Sequence, residues 1–227
     1  MKAEGLYFRW LALDNTYESF LEARLQEEVL RVPSDAAHDI GHLSRVWRTC
    51  RKIVQLDHTE VDIQVLMASA YLHDVVHIPK GSNQRSKASA LSAKVAVEIL
   101  TRLNFPEKKL PDVAHAIEAH SFSAGIETRS TEAKILQDSD RLEALGAIGI
   151  ARAFAVGGSL GSQLFHSSDP LACARDLDDG KYILDHFFVK LRKLPELMNT
   201  PGGKTIAEDR LAFMETFVDE LVAEMNV

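Results

Sequence analysis

Cysteine is scarce: the chain has 227 residues and only Cys50 and Cys173. Two thiols argue against a disulfide framework and against a thiolate metal site, and they suit a reducing cytosol, so a cytoplasmic location is expected. No run of about 18 apolar residues occurs, so no membrane span is expected. The opening MKAEGLYFRWLALD has early charge and no clean apolar stretch before a small-residue cleavage site, so no signal peptide is read. Positive charge is in deficit. Lys and Arg number 26 against 33 Asp and Glu, a formal net charge of -7, which disfavours a duplex nucleic-acid surface. A small phosphorylated ligand needs only a few local cations and stays open. Alternating apolar runs rich in β-branched residues are missing as well, which excludes a doubly wound α/β sheet, and no internal repeat appears.

What remains is helical periodicity, and the expected fold is all-α. Residues 17–31 carry Phe20, Leu21, Leu25, Val29 and Leu30 on one stripe. Pro33-Ser34-Asp35 breaks that helix and offers a cap to the next, 36–56, with Ile40, Leu43, Val46, Trp47, Cys50, Ile53 and Val54 inward. A more uniformly apolar helix, 61–76, suits a central position. Pro79-Lys80-Gly81-Ser82-Asn83 is a loop. Helices follow at 84–103, 111–120 and 131–156, the last two separated by a loop around Gly125. Residues 157–181 are rich in Gly, Ser and Asp and read as a surface excursion. Two more helices, 182–198 and 204–226, flank a turn at Asn199-Thr200-Pro201-Gly202-Gly203. No flexible linker intervenes, so one domain over 1–227 is expected, a helical bundle with its core at about 34–156 and the late helices packed on it.

Two His-Asp pairs, His38-Asp39 and His73-Asp74, stand out, each with a further His four residues after its own: His42 and His77. Residues four apart share a helix face. Asp74 lies about 100° round from His73, so both reach one ion only if the helix end points at it. A third acidic cluster, Asp138-Ser-Asp140, follows; its two carboxylates are about 200° apart on a helix, so at most one faces an ion, and periodicity does not choose between them. YLHDVV places an imidazole and a carboxylate in an apolar helix, where burial costs several kcal/mol unless they are paired or bound to metal. Mixed imidazole and carboxylate donors on three segments suit a divalent ion, with Mn, Mg, Fe, Co, Ni and Zn not distinguished.

In order, AHDIGHLSRVW, YLHDVVH, AHSFSA, QDSDRLEALGAIGIAR and DHFFVKLRKLP resemble the HD-domain metal-dependent phosphohydrolases, in their single-domain bacterial subgroup, from about residue 34 to 220. The resemblance implies an all-α fold of the HD type and a metal-binding set of His42, His73, Asp74 and Asp140. It prefers His42 over His38 and Asp140 over Asp138. Asp74 would also orient the attacking water and accept its proton. His77 stands where many relatives carry an acidic residue, which leaves the choice of general base between Asp74 and His77 open. In relatives with two metals a His near His115 or His120 binds the second ion; hydrogen bonding behind the ligands is the alternative for both.

Phosphate groups need cations. Arg85, at the start of the helix after the His77 loop, with the amides of that helix N-terminus, is a candidate, as are Lys190 and Lys193, three apart. Arg45 and Arg141 are placed to pair with carboxylate ligands. The expected activity is hydrolysis of a phosphoester or phosphoanhydride in a small phosphorylated molecule, a nucleotide, by metal-activated water. Two alternatives are a hydrolase of a signalling nucleotide and a non-catalytic module that keeps the cleft as a ligand sensor. The first covers a 3′-pyrophosphorylated guanosine or a cyclic dinucleotide; the glycine-tyrosine-proline extension of cyclic-dinucleotide relatives is absent, which counts against the cyclic-dinucleotide half.

Overall fold

The computed structural model describes residues 15–32, 40–78, 84–121 and 124–225, with Asn15, Thr16 and Arg85 described by backbone alone. The first His-Asp pair, His38-Asp39, the break at Pro33-Ser34-Asp35 and the loop at 79–83 lie outside the described residues. Nine α-helices occur among the described residues: α1 (Asn15–Leu30), α2 (Ile40–Asp57), α3 (Ile63–Leu72), α4 (Ala88–Arg102), α5 (Leu110–His120), α6 (Thr131–Leu142), α7 (Gly146–Ser159), α8 (Ile183–Val189) and α9 (Pro201–Met225). Short 3-10 turns stand at Arg85–Lys87, Glu107–Lys109 and Leu191–Leu197. Among the described residues there is no strand, only an isolated bridge between Gln163 and Tyr182, and the all-α expectation holds. No single helix there is long and apolar enough to cross a membrane.

The chain forms two compact units, Met1–Trp47 with Val61–Ala133 and Arg48–Glu60 with Lys134–Val227. In the first, α3 lies against α1, α4 and α5. Every residue from Val65 to Leu72 is buried, and each large apolar side chain there contributes about 1.5–3 kcal/mol. Asp62 caps the helix by accepting from the amides of Gln64 and Val65 at 3.1 and 3.2 Å. At its other end the Tyr71 hydroxyl donates to Glu22 at 2.7 Å and accepts from Gln26 at 3.0 Å.

In the second unit Phe154, Phe187 and Phe217 pack with ring centroids 6.1–6.3 Å apart. The excursion after α7 has no helix, yet it is cross-tied. Asp185, fully buried, takes both guanidinium arms of Arg175 at 2.6 and 2.7 Å and the Asp178 amide at 2.7 Å. Burial pushes the Asp185 carboxyl up, but the Arg175 guanidinium and the Asp178 amide outweigh it and hold the carboxyl below its ordinary value.

Four expectations need correction. The helix expected at 61–76 stops at Leu72, because the Val76 amide is taken by Ser92 Oγ at 3.1 Å. The single helix expected at 131–156 is two helices bent by 64°. Gly146 sits at φ +71° at the bend, and Arg210 takes the Leu142 carbonyl. The helix expected at 182–198 ends at Val189 and continues as a 3-10 turn containing Pro195. The turn expected at 199–203 also contracts, since α9 begins at Pro201, a residue suited to a first helical position because that amide needs no partner.

The two thiols should react differently. Cys50 is fully buried, and burial pushes its thiol up to about 12, while Cys173 is exposed. Because the thiolate is the nucleophile, native protein at pH 8 should titrate with one equivalent of a disulfide reagent and unfolded protein with two. A native titre of two would contradict this burial.

Candidate metal centre

The second His-Asp pair sits where α3 ends. His73 is the C-cap, so His73 and Asp74 leave the helix at its last turn and project from its tip. At a helix end adjacent His and Asp side chains can turn toward one point, which mid-helix positions 100° apart do not allow. The same ending corrects the idea that His73 and His77 share a helix face: His77 lies beyond the helix and is exposed.

His73 is fully buried and His120, the last residue of α5, is 5% exposed. Each ring is tethered to its own helix. His73 Nδ1 is 2.9 Å from the Ala70 carbonyl, and His120 Nδ1 is 2.6 Å from the Ile117 carbonyl. A carbonyl only accepts, so in each ring Nδ1 carries the hydrogen and, in the neutral ring, Nε2 carries the lone pair. Those Nε2 atoms face the Asp74 carboxylate: His73 at 3.6 Å from Oδ2 and His120 at 3.5 Å from Oδ1. The ligand atoms of His73, Asp74 and His120 lie within 4.8 Å of one another. The His73 and His120 rings meet edge-on at 4.8 Å, and the buried His42 ring, from the first turn of α2, is 5.4 Å from that of His73.

Two nitrogen lone pairs and a carboxylate converge at the carbonyl ends of two helices, where the helix dipoles also favour positive charge. Every group in this set is an electron donor, and a divalent cation is the partner that matches it. Asp74 keeps 26% of its side chain exposed, so the carboxylate has access to water while the imidazoles are buried.

The remaining candidates lie as follows. Asp138 is buried and accepts from Asn199 and Thr200, so its oxygens are engaged by the start of α9. Burial pushes its carboxyl up, against those donors. Asp140 is partly exposed. Arg141 donates to the Leu197 carbonyl. His115 accepts the Arg129 amide on Nε2 at 3.1 Å; five residues before His120, it points about 140° away round the helix. The Arg85 side chain and the Asn83 amide lie outside the described residues. Lys190 caps the end of α8, and Lys193 follows in the 3-10 turn; both are exposed. Sequence reasoning missed Ser92. It is buried in the alanine-rich α4 and holds the Val76 amide, shaping the turn that carries Asp74. The available signal was a pair of Ser residues, Ser89 and Ser92, among the Ala residues of that helix.

The family model described as HD domain matches residues 38–145. The protein YpgQ of Bacillus subtilis (strain 168) is 31% identical over 190 residues, covering 82% of this chain and 83% of that one. The crystal structure of Bacillus subtilis YpgQ in complex with ADP is similar at 28% identity and a TM-score of 0.71, over 91% of this chain and 96% of the other. An HD-superfamily hydrolase from Bacillus thuringiensis shares 30% identity at a TM-score of 0.69, over 93% of this chain and all of that one. A His-Asp pair at the tip of a buried helix and this likeness along nearly the whole length lead to one conclusion: the chain belongs to the HD domain family, alongside hydrolases of the HD superfamily.

Proposed function

We propose that the protein is a cytoplasmic, metal-dependent phosphohydrolase acting on a nucleotide, with His42, His73, Asp74 and Asp140 as ligands of one divalent ion. The observation that carries the metal in this reading is the convergence of His73, Asp74 and His120 donor atoms within 4.8 Å; His42 and Asp140 are the further ligands that the family resemblance implies. A bound divalent ion supplies acidity to a water molecule and charge to a phosphoryl oxygen. The chain supplies the rest. Asp74, the exposed member, orients water and accepts its proton. The His73 and His120 rings, fixed through Nδ1, keep their Nε2 atoms directed at the site. Nucleotide as the substrate class is supported by the ADP complex of YpgQ.

Phosphate release from a nucleotide panel with Mn, Mg, Co or Ni is the direct test. The wild type should turn over at least one nucleotide. Asp74→Ala should lose about 100-fold or more, the usual contribution of a positioned proton acceptor. Full activity in Asp74→Ala would exclude Asp74 as the group that handles water. Nucleotide binding without turnover by any metal-loaded form would instead support a ligand sensor.

A further inference from the structure

The last turn of α6 is held from one side by the segment that opens α9. Asn199 Nδ2 donates to Gln137 Oε1 at 2.8 Å and to Asp138 Oδ1 at 2.8 Å. The Asn199 amide reaches both Asp138 oxygens at 2.9 and 3.0 Å. The Thr200 amide and hydroxyl both donate to Asp138 Oδ2 at 2.8 Å. Arg141 donates to the Leu197 carbonyl, and Arg210, within α9, donates to the Leu142 carbonyl. Positions 137, 138, 141 and 142 cover an arc of about 140° on the helix, and Asp140 lies about 130° from the middle of that arc. The helix is thus gripped on one flank and presents Asp140 on another.

Asp138 is the centre of the grip. It is fully buried. Two backbone amides, a side-chain amide and a hydroxyl converge on it, and an acceptor with two oxygens and no hydrogen satisfies all of them. The approach is as close as a glycine allows: a Cβ at Gly203 would stand 2.5 Å from Asp138 Oδ2 and 2.7 Å from Thr200 Oγ1. A second carboxylate, Asp57 at the end of α2, takes the Gly202 amide at 2.6 Å. The start of α9 is therefore tied by carboxylates to two helices of its unit.

We propose that Asp138 is a positioning residue: by receiving Asn199 and Thr200 it fixes the last turn of α6 and so sets the direction of Asp140. The proposal rests on Asp140 as a metal ligand. It assigns the Asp-Ser-Asp cluster two separate tasks, one carboxylate for the ion and the other for the mount.

The test compares Asp138→Asn, Thr200→Val and, as a control in the same unit, Asp185→Asn. Hydrogen exchange of residues 134–145 is measured on metal-free protein, and Mn2+ dissociation is measured by electron paramagnetic resonance. Asp138→Asn should speed exchange in 134–145 and weaken Mn2+ binding roughly 10- to 100-fold, the range for partners that orient a ligand. Thr200→Val, which removes one donor and serves if Asp138→Asn does not fold, should move both readouts in the same direction by less. Asp185→Asn should lower the melting temperature and leave both readouts unchanged. Unchanged exchange in 134–145 overturns the proposal, and so does faster exchange with unaltered Mn2+ affinity, which is what a purely structural cap gives. If the wild type binds no Mn2+, the metal reading fails, and the exchange result alone decides whether Asp138 holds this turn.

Discussion

His73→Ala should erase the metal-dependent rise in melting temperature. An ion that binds only the folded state at 100 times its Kd stabilises it by about 2.7 kcal/mol. For a chain of this size that lifts Tm by roughly 5–10 °C. His73 is the member of the set that touches the others: its ring meets His120 at 4.8 Å and His42 at 5.4 Å, and its Nε2 faces Asp74. Truncation removes a donor at the centre of the cluster. The experiment is a thermal melt of wild type and variant, each with EDTA and with excess Mn2+. His115→Ala is the comparison, because that ring is engaged by Arg129, and it should keep the full shift. A Mn2+-dependent shift surviving in His73→Ala would place the ion elsewhere.

Gly149→Ala should cost about 3 kcal/mol or more, at the upper end for an overpacked interior. A Cβ there would lie 2.2 Å from the Ala144 carbonyl oxygen and 2.3 Å from its carbon. Both belong to backbone, so no rotamer change relieves the overlap. The turn between α6 and α7 would have to open, and with it the 64° bend. Gly146→Ala acts on the same turn through a different cause. Its φ of +71° costs an alanine about 1–2 kcal/mol. Denaturant unfolding of the two variants should rank Gly149→Ala below Gly146→Ala; the reverse order would mean that the turn yields more readily than its contacts imply.

The bend shows where sequence reading stops. Thr131 to Val156 has continuous helical periodicity, and apolar residues surround it on nearly all sides, so the local marks near Glu143–Leu145 are Gly146 and Gly149, which a helix interior also tolerates. At the break Gly146 takes its positive φ, and Arg210, more than sixty residues later, takes the Leu142 carbonyl. The end of α3 has a similar origin: Asp74-Val75-Val76 reads as helix until Ser92 takes the Val76 amide. In contrast, α1, α2, α4 and α5 are legible because their apolar stripes are interrupted by charges. The same division applies to the site. His73-Asp74 announces itself as polarity in an apolar run. His120 is a candidate in the sequence on a par with His115, and its place beside Asp74 comes from the packing of α5 on α3. Periodicity does not distinguish Asp138 from Asp140; the bonds that Asp138 accepts from Asn199 and Thr200 come from a segment about sixty residues later.

The cross-tied excursion before α8 has a consequence for how this chain can vary. Its frame is made by few groups. Asp185 holds Arg175; Asp169 accepts from the amides of Cys173 and Ala174; His166 accepts from that of Asp169. The bonds around 169–174 are donated by backbone amides, which every residue but proline provides. Leu171 and Cys173 stand exposed on that frame. Their side chains can therefore be exchanged without dismantling the support, while Asp169, Arg175 and Asp185 cannot. The excursion is a fixed mount with interchangeable tips, a form in which related chains can diversify one surface while the helices beneath it stay the same.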